Sequence, residues 1–159
     1  MTVMEIPALA LEQSPGRHIF AFGVDGKVVP QFASISRARR DEEKTDLMGY
    51  QRPEVNRHIA EIRGYLESEG SMIPNAIVLA FDPRVEFIAH GPAPSDRHAQ
   101  SGTLRIPIAE DGDEKVGWVV DGQQRLAAIR EARLEGFPIF AVGFVAQSEA
   151  EHREQFLLV

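Results

Sequence analysis

The sequence predicts one α/β domain, a small mixed sheet flanked by helices. Three observations carry that expectation. Ala76-Ile77-Val78-Leu79-Ala80-Phe81 is an unbroken apolar run closed by Asp82-Pro83, the pattern of a buried strand. Val55, Ile59, Ile62 and Leu66 recur at spacings of four, three and four after Pro53, the pattern of an amphipathic helix. The apolar run Val116 to Val120 stops at Asp121-Gly122, and a helical pattern carrying Leu126, Ile129 and Ala132 on one face begins at once.

The other elements follow from local chemistry. His18 to Phe22 alternates and reads as a strand. Val24-Asp25-Gly26-Lys27 reads as a hairpin turn, with Lys27 to Phe32 as the returning strand. Arg37 to Met48 is charged, with a weak helical period, and Gly49-Tyr50-Gln51-Arg52-Pro53 breaks it. Pro53 suits a first helical turn, and that helix ends near Gly70. Val85 to Ala89 is a short strand, and His90 to Gly102 is loop-forming in composition. Thr103 to Ile108 alternates. Across the acidic turn Glu110-Asp111-Gly112-Asp113 it pairs with Val116 to Val120 as a hairpin. The helix after Gly122 runs to about Glu135 with Gly136 as its stop, and Ile139 to Val145 is the last strand. Ser148 and Glu151 form a capping box for a helix through Phe156-Leu157-Leu158. Val159 falls within the apolar face of that helix, so residues 1–159 are expected to be one domain at the N-terminal end of a longer protein, or a domain whose terminus docks on its core.

Composition excludes several classes. Apolar residues are 43% and charged residues 26% of 159, as in a folded globular domain. No apolar run approaches a membrane span, and the N-terminus lacks a signal-peptide pattern. Cysteine is absent, which removes disulfides, thiolate metal sites and cysteine nucleophiles and fits a cytoplasmic protein. The net charge of −7 is the reverse of a compact DNA-binding module. The one basic cluster, Arg37-Ala38-Arg39-Arg40, is followed at once by Asp41-Glu42-Glu43. The five histidines are scattered without ligand spacing, so no metal site is expected. No Walker loop or Gly-x-Gly-x-x-Gly is present.

Chemistry is therefore sought at Asp121-Gly122-Gln123-Gln124-Arg125. A helix start carries unpaired N–H groups and a partial positive charge, which suits phosphate. Arg125 adds a permanently charged planar fork one turn in. Gly122 permits close approach of a ligand to the backbone. A purely structural reading competes: Asp121 as N-cap on the Gln123 or Gln124 amide, with Gln124 completing a capping box.

Three blocks occur in order: Gly49-Tyr50-Gln51-Arg52 before a helix, Ile73-Pro74-Asn75-Ala76-Ile77-Val78-Leu79 after it, and Val120-Asp121-Gly122-Gln123-Gln124-Arg125 before the next helix. Their order resembles the DGQHR-domain, DndB-like family associated with DNA phosphorothioation. It is also similar to the wider ParB/sulfiredoxin-like superfamily. The likeness spans roughly residues 45 to 145 and departs at Gln124, where the family motif has histidine. That departure removes a titratable group and leaves a hydrogen-bonding one.

The resemblance implies a nucleotide-binding, ATP-hydrolysing domain of a DNA-modification or defence system. The expected cofactor is ATP or another nucleoside triphosphate, with Mg²⁺. Gly122, Gln123, Gln124 and Arg125, with Gln51 and Arg52, are the expected phosphate contacts. Gln124, Arg125 and Asp121 are the expected catalytic set: charge neutralisation by Arg125, water positioning by Gln124, and turn or Mg²⁺ contact by Asp121. Phosphoryl transfer depends chiefly on positioning and charge, so a slow NTPase needs no general base. Two other readings stand beside it. In one the chain is a DNA-binding regulator whose turn touches DNA phosphate. In the other it is a non-enzymatic module that assembles DNA-modification proteins.

Overall fold

A computed structural model describes residues 2–35 and 53–146. The fold is mixed α/β. Eight strands form one sheet: β1 (Val3–Ser14), β2 (Arg17–Asp25), β3 (Ala33–Ser34), β4 (Ile77–Phe81), β5 (Glu86–Ala89), β6 (Gln100–Pro107), β7 (Gly117–Asp121) and β8 (Pro138–Val145). Among the described residues, two helices, α1 (Pro53–Leu66) and α2 (Gln123–Glu131), pack against each other. The strand order is β3-β7-β4-β8-β2-β1-β6-β5. The β4–β8 and β3–β7 pairs are parallel and the others antiparallel, so the sheet is mixed as predicted but larger than a small one.

The long strand β1 escapes the alternation test. Its inward positions are Ile6, Ala8 and Ala10, but its outward positions Pro7, Leu9 and Leu11 are also apolar. Pairing shows the period that hydrophobicity conceals. Ala8, Leu9 and Ala10 face Phe22, Ala21 and Phe20 of β2, and Gly102, Ser101 and Gln100 of β6. Pro15-Gly16 turns the chain, with Gly16 left-handed at φ 75 and its amide donating to the Glu12 carboxylate at 3.1 Å.

Two predicted hairpins do not form. After β2, Lys27 to Phe32 is not a returning strand: Val29–Gln31 is a single 3₁₀ turn with Pro30 in its first positions. The Asp25 carboxylate explains the change. It accepts the Lys27 amide at 2.9 Å and the Phe137 amide at 3.0 Å, closing the turn on itself. Val29 and Phe32 are thereby delivered to the core, both fully buried. Likewise β6 and β7 are not partners. The Glu110–Asp113 turn exists, with a 2.9 Å backbone bond, but it launches a crossover. Leu104 and Ile106 of β6 align with Ile6 and Met4 of β1, whereas β7 lies between β3 and β4. The reason is burial. Gly117, Val119 and Val120 are all buried, which suits a position inside the sheet.

Both helices stop short of expectation. α1 ends at Leu66, and left-handed Gly70 (φ 75) lies beyond it in the connection. α2 ends at Glu131 with extended Ala132 as its C-cap, four residues before Gly136. Lys27 Nζ donates to the Ala132 carbonyl at 2.6 Å, and the Glu67 carboxylate accepts the Arg133 amide at 2.8 Å. These tertiary contacts terminate the helix. Gly136 instead lets the Asp25 carboxylate approach: a Cβ there would sit 2.4 Å from Asp25 Oδ2.

One hydrophobic core joins the inner sheet face to both helices. Phe81 is its hub, with ring centroids 6.3 Å from Phe22 and from Phe32. Gly117 and Gly143 flank that ring on the neighbouring strands. At the end of β4, Arg84 clasps Asp82 at 2.7 Å and reaches the Glu114 carbonyl at 3.3 Å. The Asp82 hydrogen bond holds its guanidinium above the ordinary value.

The expected helix after Ser148, the basic cluster at 37–40, and Gln51 and Arg52 lie outside the described residues. Truncating Phe81→Ala should cost about 3–5 kcal/mol through lost transfer energy and a cavity. Urea unfolding checks it. A cost below about 1 kcal/mol would remove Phe81 from the centre of the core.

Candidate nucleotide site at the β7–α2 junction

The site is built from a turn of one residue. β7 stays paired through Asp121, opposite Val78 of β4. α2 begins at Gln123, so Gly122 alone reverses the chain, with φ 104 and ψ 15. That left-handed conformation favours glycine. Space enforces the choice as well, because a Cβ on Gly122 would lie 2.6 Å from Ile77 Cγ2.

The N-cap is therefore Gly122, not Asp121, and no side chain caps the helix. This corrects the structural reading in which Asp121 caps α2 and Gln124 completes a capping box. Asp121 is still in strand geometry and is exposed. The first helical bond runs from the Leu126 amide to the Gly122 carbonyl at 3.0 Å. The amides of Gln123, Gln124 and Arg125 precede that bond and have no acceptor within the helix. No acidic residue lies in the first turn to occupy its positive end.

The three polar side chains have different uses. The Gln123 carboxamide nitrogen donates to the Val119 and Val120 carbonyls at 3.2 and 3.1 Å, so it locks helix to strand. Arg125 Nη1 donates to the Asn75 carbonyl at 2.6 Å, and Nη2 lies 3.6 Å from the Asp121 carboxylate. The guanidinium also approaches Gly122, with Nη2 3.3 Å from where a Cβ would stand. Gln124 makes no hydrogen bond among the described residues.

A hollow of about 570 Å³ opens beside this junction. Gly122 to Arg125 and Asp121 line one side. His58, Glu61, Ile62 and Tyr65 of α1, with Ile73, line the other. The hollow thus has a polar end at the helix start and a wall containing Ile62, Ile73 and the Tyr65 ring. The Tyr65 hydroxyl donates to the Met72 carbonyl at 3.0 Å and accepts the Met72 amide at 2.8 Å, which fixes the loop to α1. His58 Nδ1 lies 3.9 Å from the Glu61 carboxylate, both side chains being exposed.

Asp121, Gly122, Gln123, Gln124 and Arg125 are thus brought to one hollow. Glu61, Ile62 and Ile73 are lining residues that the motif search passed over. His58, Glu61, Ile62 and Tyr65 fall at helical spacings of three and four, a signal present in the sequence but masked by the apolar stripe that shares it. Among the described residues no group of three or more His, Asp or Glu converges to hold a metal ion.

A protein-family model described as DndB, DNA-sulfur modification-associated, matches residues 6–159. The chain belongs to the DndB family. No curated protein and no solved structure matches it. DndB membership links the chain to a DNA phosphorothioation system. Among the described residues, no helix is long and apolar enough to cross a membrane.

Gly122→Ala should lower stability by about 2–4 kcal/mol, because left-handed backbone and a core clash add. Asp121→Ala should change it by less than about 0.5 kcal/mol, because an exposed ion pair contributes little. Paired thermal melts check both. A loss near 1 kcal/mol for Asp121→Ala, the size of a lost N-cap, would restore the capping role.

Proposed function

We propose that the hollow at the β7–α2 junction binds a nucleoside triphosphate, and that the domain hydrolyses it slowly in the service of a DNA-modification system. One observation carries this reading: the uncapped start of α2 and the Arg125 guanidinium border an open hollow of about 570 Å³. That volume lies within the usual range for small-molecule sites. The order of elements is read as a relative of the ParB/sulfiredoxin-like fold.

The lining supports division of the ligand into two ends. Ile62, Ile73 and the Tyr65 ring offer apolar surface for a base. The amides of Gln123 and Gln124 offer donors for phosphate, and Arg125 offers charge. Arg125 is held by a backbone carbonyl and by Asp121, so its position does not depend on ligand. The two carboxylates, Glu61 and Asp121, oppose a bare polyphosphate. They suit one that carries Mg²⁺, whose charge would offset theirs and which Asp121 would help to hold. Bound nucleotide supplies the phosphoanhydride. Gln124, whose carboxamide has no partner among the described residues, is placed to orient a water. Arg125 then balances charge as it spreads over the phosphoryl oxygens.

Calorimetric titration with ATP, GTP and CTP, with and without Mg²⁺, tests the proposal on wild type and Gln124→Glu. Arg125→Ala is the weaker choice, since it also unties Asn75 from the junction. A carboxylate in the first turn of α2 favours the helix while repelling phosphate, so folding and binding separate. Nucleotide affinity should fall at least tenfold, about 1.4 kcal/mol, with an unchanged or raised melting temperature. Equal binding by both proteins, or no nucleotide binding at all, overturns the reading. Salt-sensitive binding of DNA without nucleotide would replace it with the regulator reading.

A further inference from the structure

Most polar side chains on the α2 side of the hollow are already committed. Gln123 bonds the Val119 and Val120 carbonyls, and Arg125 bonds the Asn75 carbonyl and pairs with Asp121. The α1 wall differs. The Tyr65 hydroxyl both donates to and accepts from Met72, which leaves its ring as a fixed surface. Glu61 makes no hydrogen bond among the described residues. Its ion-pair partner there is His58, with Nδ1 3.9 Å away, and its side chain is 68% exposed. Both carboxylate oxygens are therefore available to a ligand in the hollow that Glu61 lines.

Helical spacing sets what such a ligand meets. Glu61 and Tyr65 are four residues apart on α1, which brings their Cβ atoms to about 5–6 Å on one face. Ile62 lies beside them in the same wall. A base resting on the Tyr65 ring and Ile62 has its edge within reach of the Glu61 carboxylate. That carboxylate also repels phosphate. It thereby directs the phosphates toward the start of α2, where the amides and Arg125 stand.

We infer, resting on the nucleotide reading above, that Glu61 selects guanine. An ionised carboxylate accepts hydrogen bonds and donates none. Among the common bases, guanine sets two donors side by side, N1–H and the N2 amino group, so both oxygens are satisfied. Adenine and cytosine each place one amino donor beside a ring nitrogen lone pair. Against a carboxylate, one bond forms and the lone pair opposes the second oxygen. Uracil places its single N–H between two carbonyl oxygens. A site that pairs an acceptor with ligand donors rejects a ligand lacking them, because its own group is left unpaired. Exposure of Glu61 to water softens that rejection, so the expected discrimination is about tenfold to a hundredfold. Glu61→Gln inverts the code, since a carboxamide carries one acceptor and one donor, the complement of the adenine edge.

Calorimetric titration of the full chain with GTP, inosine triphosphate and ATP, each with Mg²⁺, tests the assignment. Wild type should bind GTP about tenfold or more tighter than ATP. Inosine triphosphate, which lacks the N2 amino group, should fall between them. Glu61→Gln should weaken GTP about tenfold and bring ATP to equal or greater affinity, with an unchanged melting temperature because the side chain is exposed. Equal binding of GTP and ATP by wild type overturns the guanine assignment and leaves nucleotide binding standing. A GTP preference that survives Glu61→Gln does the same. Binding of none of the three overturns both.

Discussion

The reversal of the chain at Gly122 is the constraint on which the rest depends. A strand on the sheet and a helix over it are joined by one residue, left-handed and in contact with Ile77. So short a connection leaves no rotational freedom between β7 and α2. Arg125 and Gln123 add to the constraint from the helix side. One bonds the entry to β4 and the other bonds the end of β7. Gly122, Gln123 and Arg125 therefore anchor the helix start before any ligand is considered. Preorganisation of this kind spares a binding site the entropy of ordering its own groups.

The same geometry sets the electrostatics of the hollow. The helix start is uncapped, so its positive end remains directed at whatever lies there. Arg125 faces Asp121 across 3.6 Å, which moderates its charge. Glu61 stands on the opposing helix. Under the proposed reading, this balance disfavours small bare anions and favours a ligand that brings a cation or a large apolar part. The overall charge of −7 works in the same direction, since it repels polyanions at long range.

How much was legible before folding varies by element, for identifiable reasons. α1, β4 and the β7-turn-α2 unit were readable because their apolar periods are clean and short-range. β1 was not, because its outward residues are also apolar and the alternation lost contrast. That loss of contrast is itself informative once the fold is known: it marks the exposed sheet face. The two predicted hairpins failed because strand partners are chosen by burial on both sides of a strand, which adjacency in sequence does not report. Asp25 illustrates the limit. Its carboxylate bonds the amides of Lys27 and Phe137, and the second of these is 112 residues away.

At the site, the sequence alone determined the motif, the strand-to-helix junction and the family likeness, because each is carried by a handful of contiguous residues. Tertiary structure decided what those residues do. It made Gly122 rather than Asp121 the cap, turned Gln123 inward to hold the strand, and left Gln124 without a bond among the described residues. It also supplied the second wall, since His58, Glu61 and Tyr65 reach the hollow only because α1 packs on α2. Local pattern records backbone preference and apolar period. A cavity exists only between elements distant in the chain, so its walls and its charge belong to the packed structure.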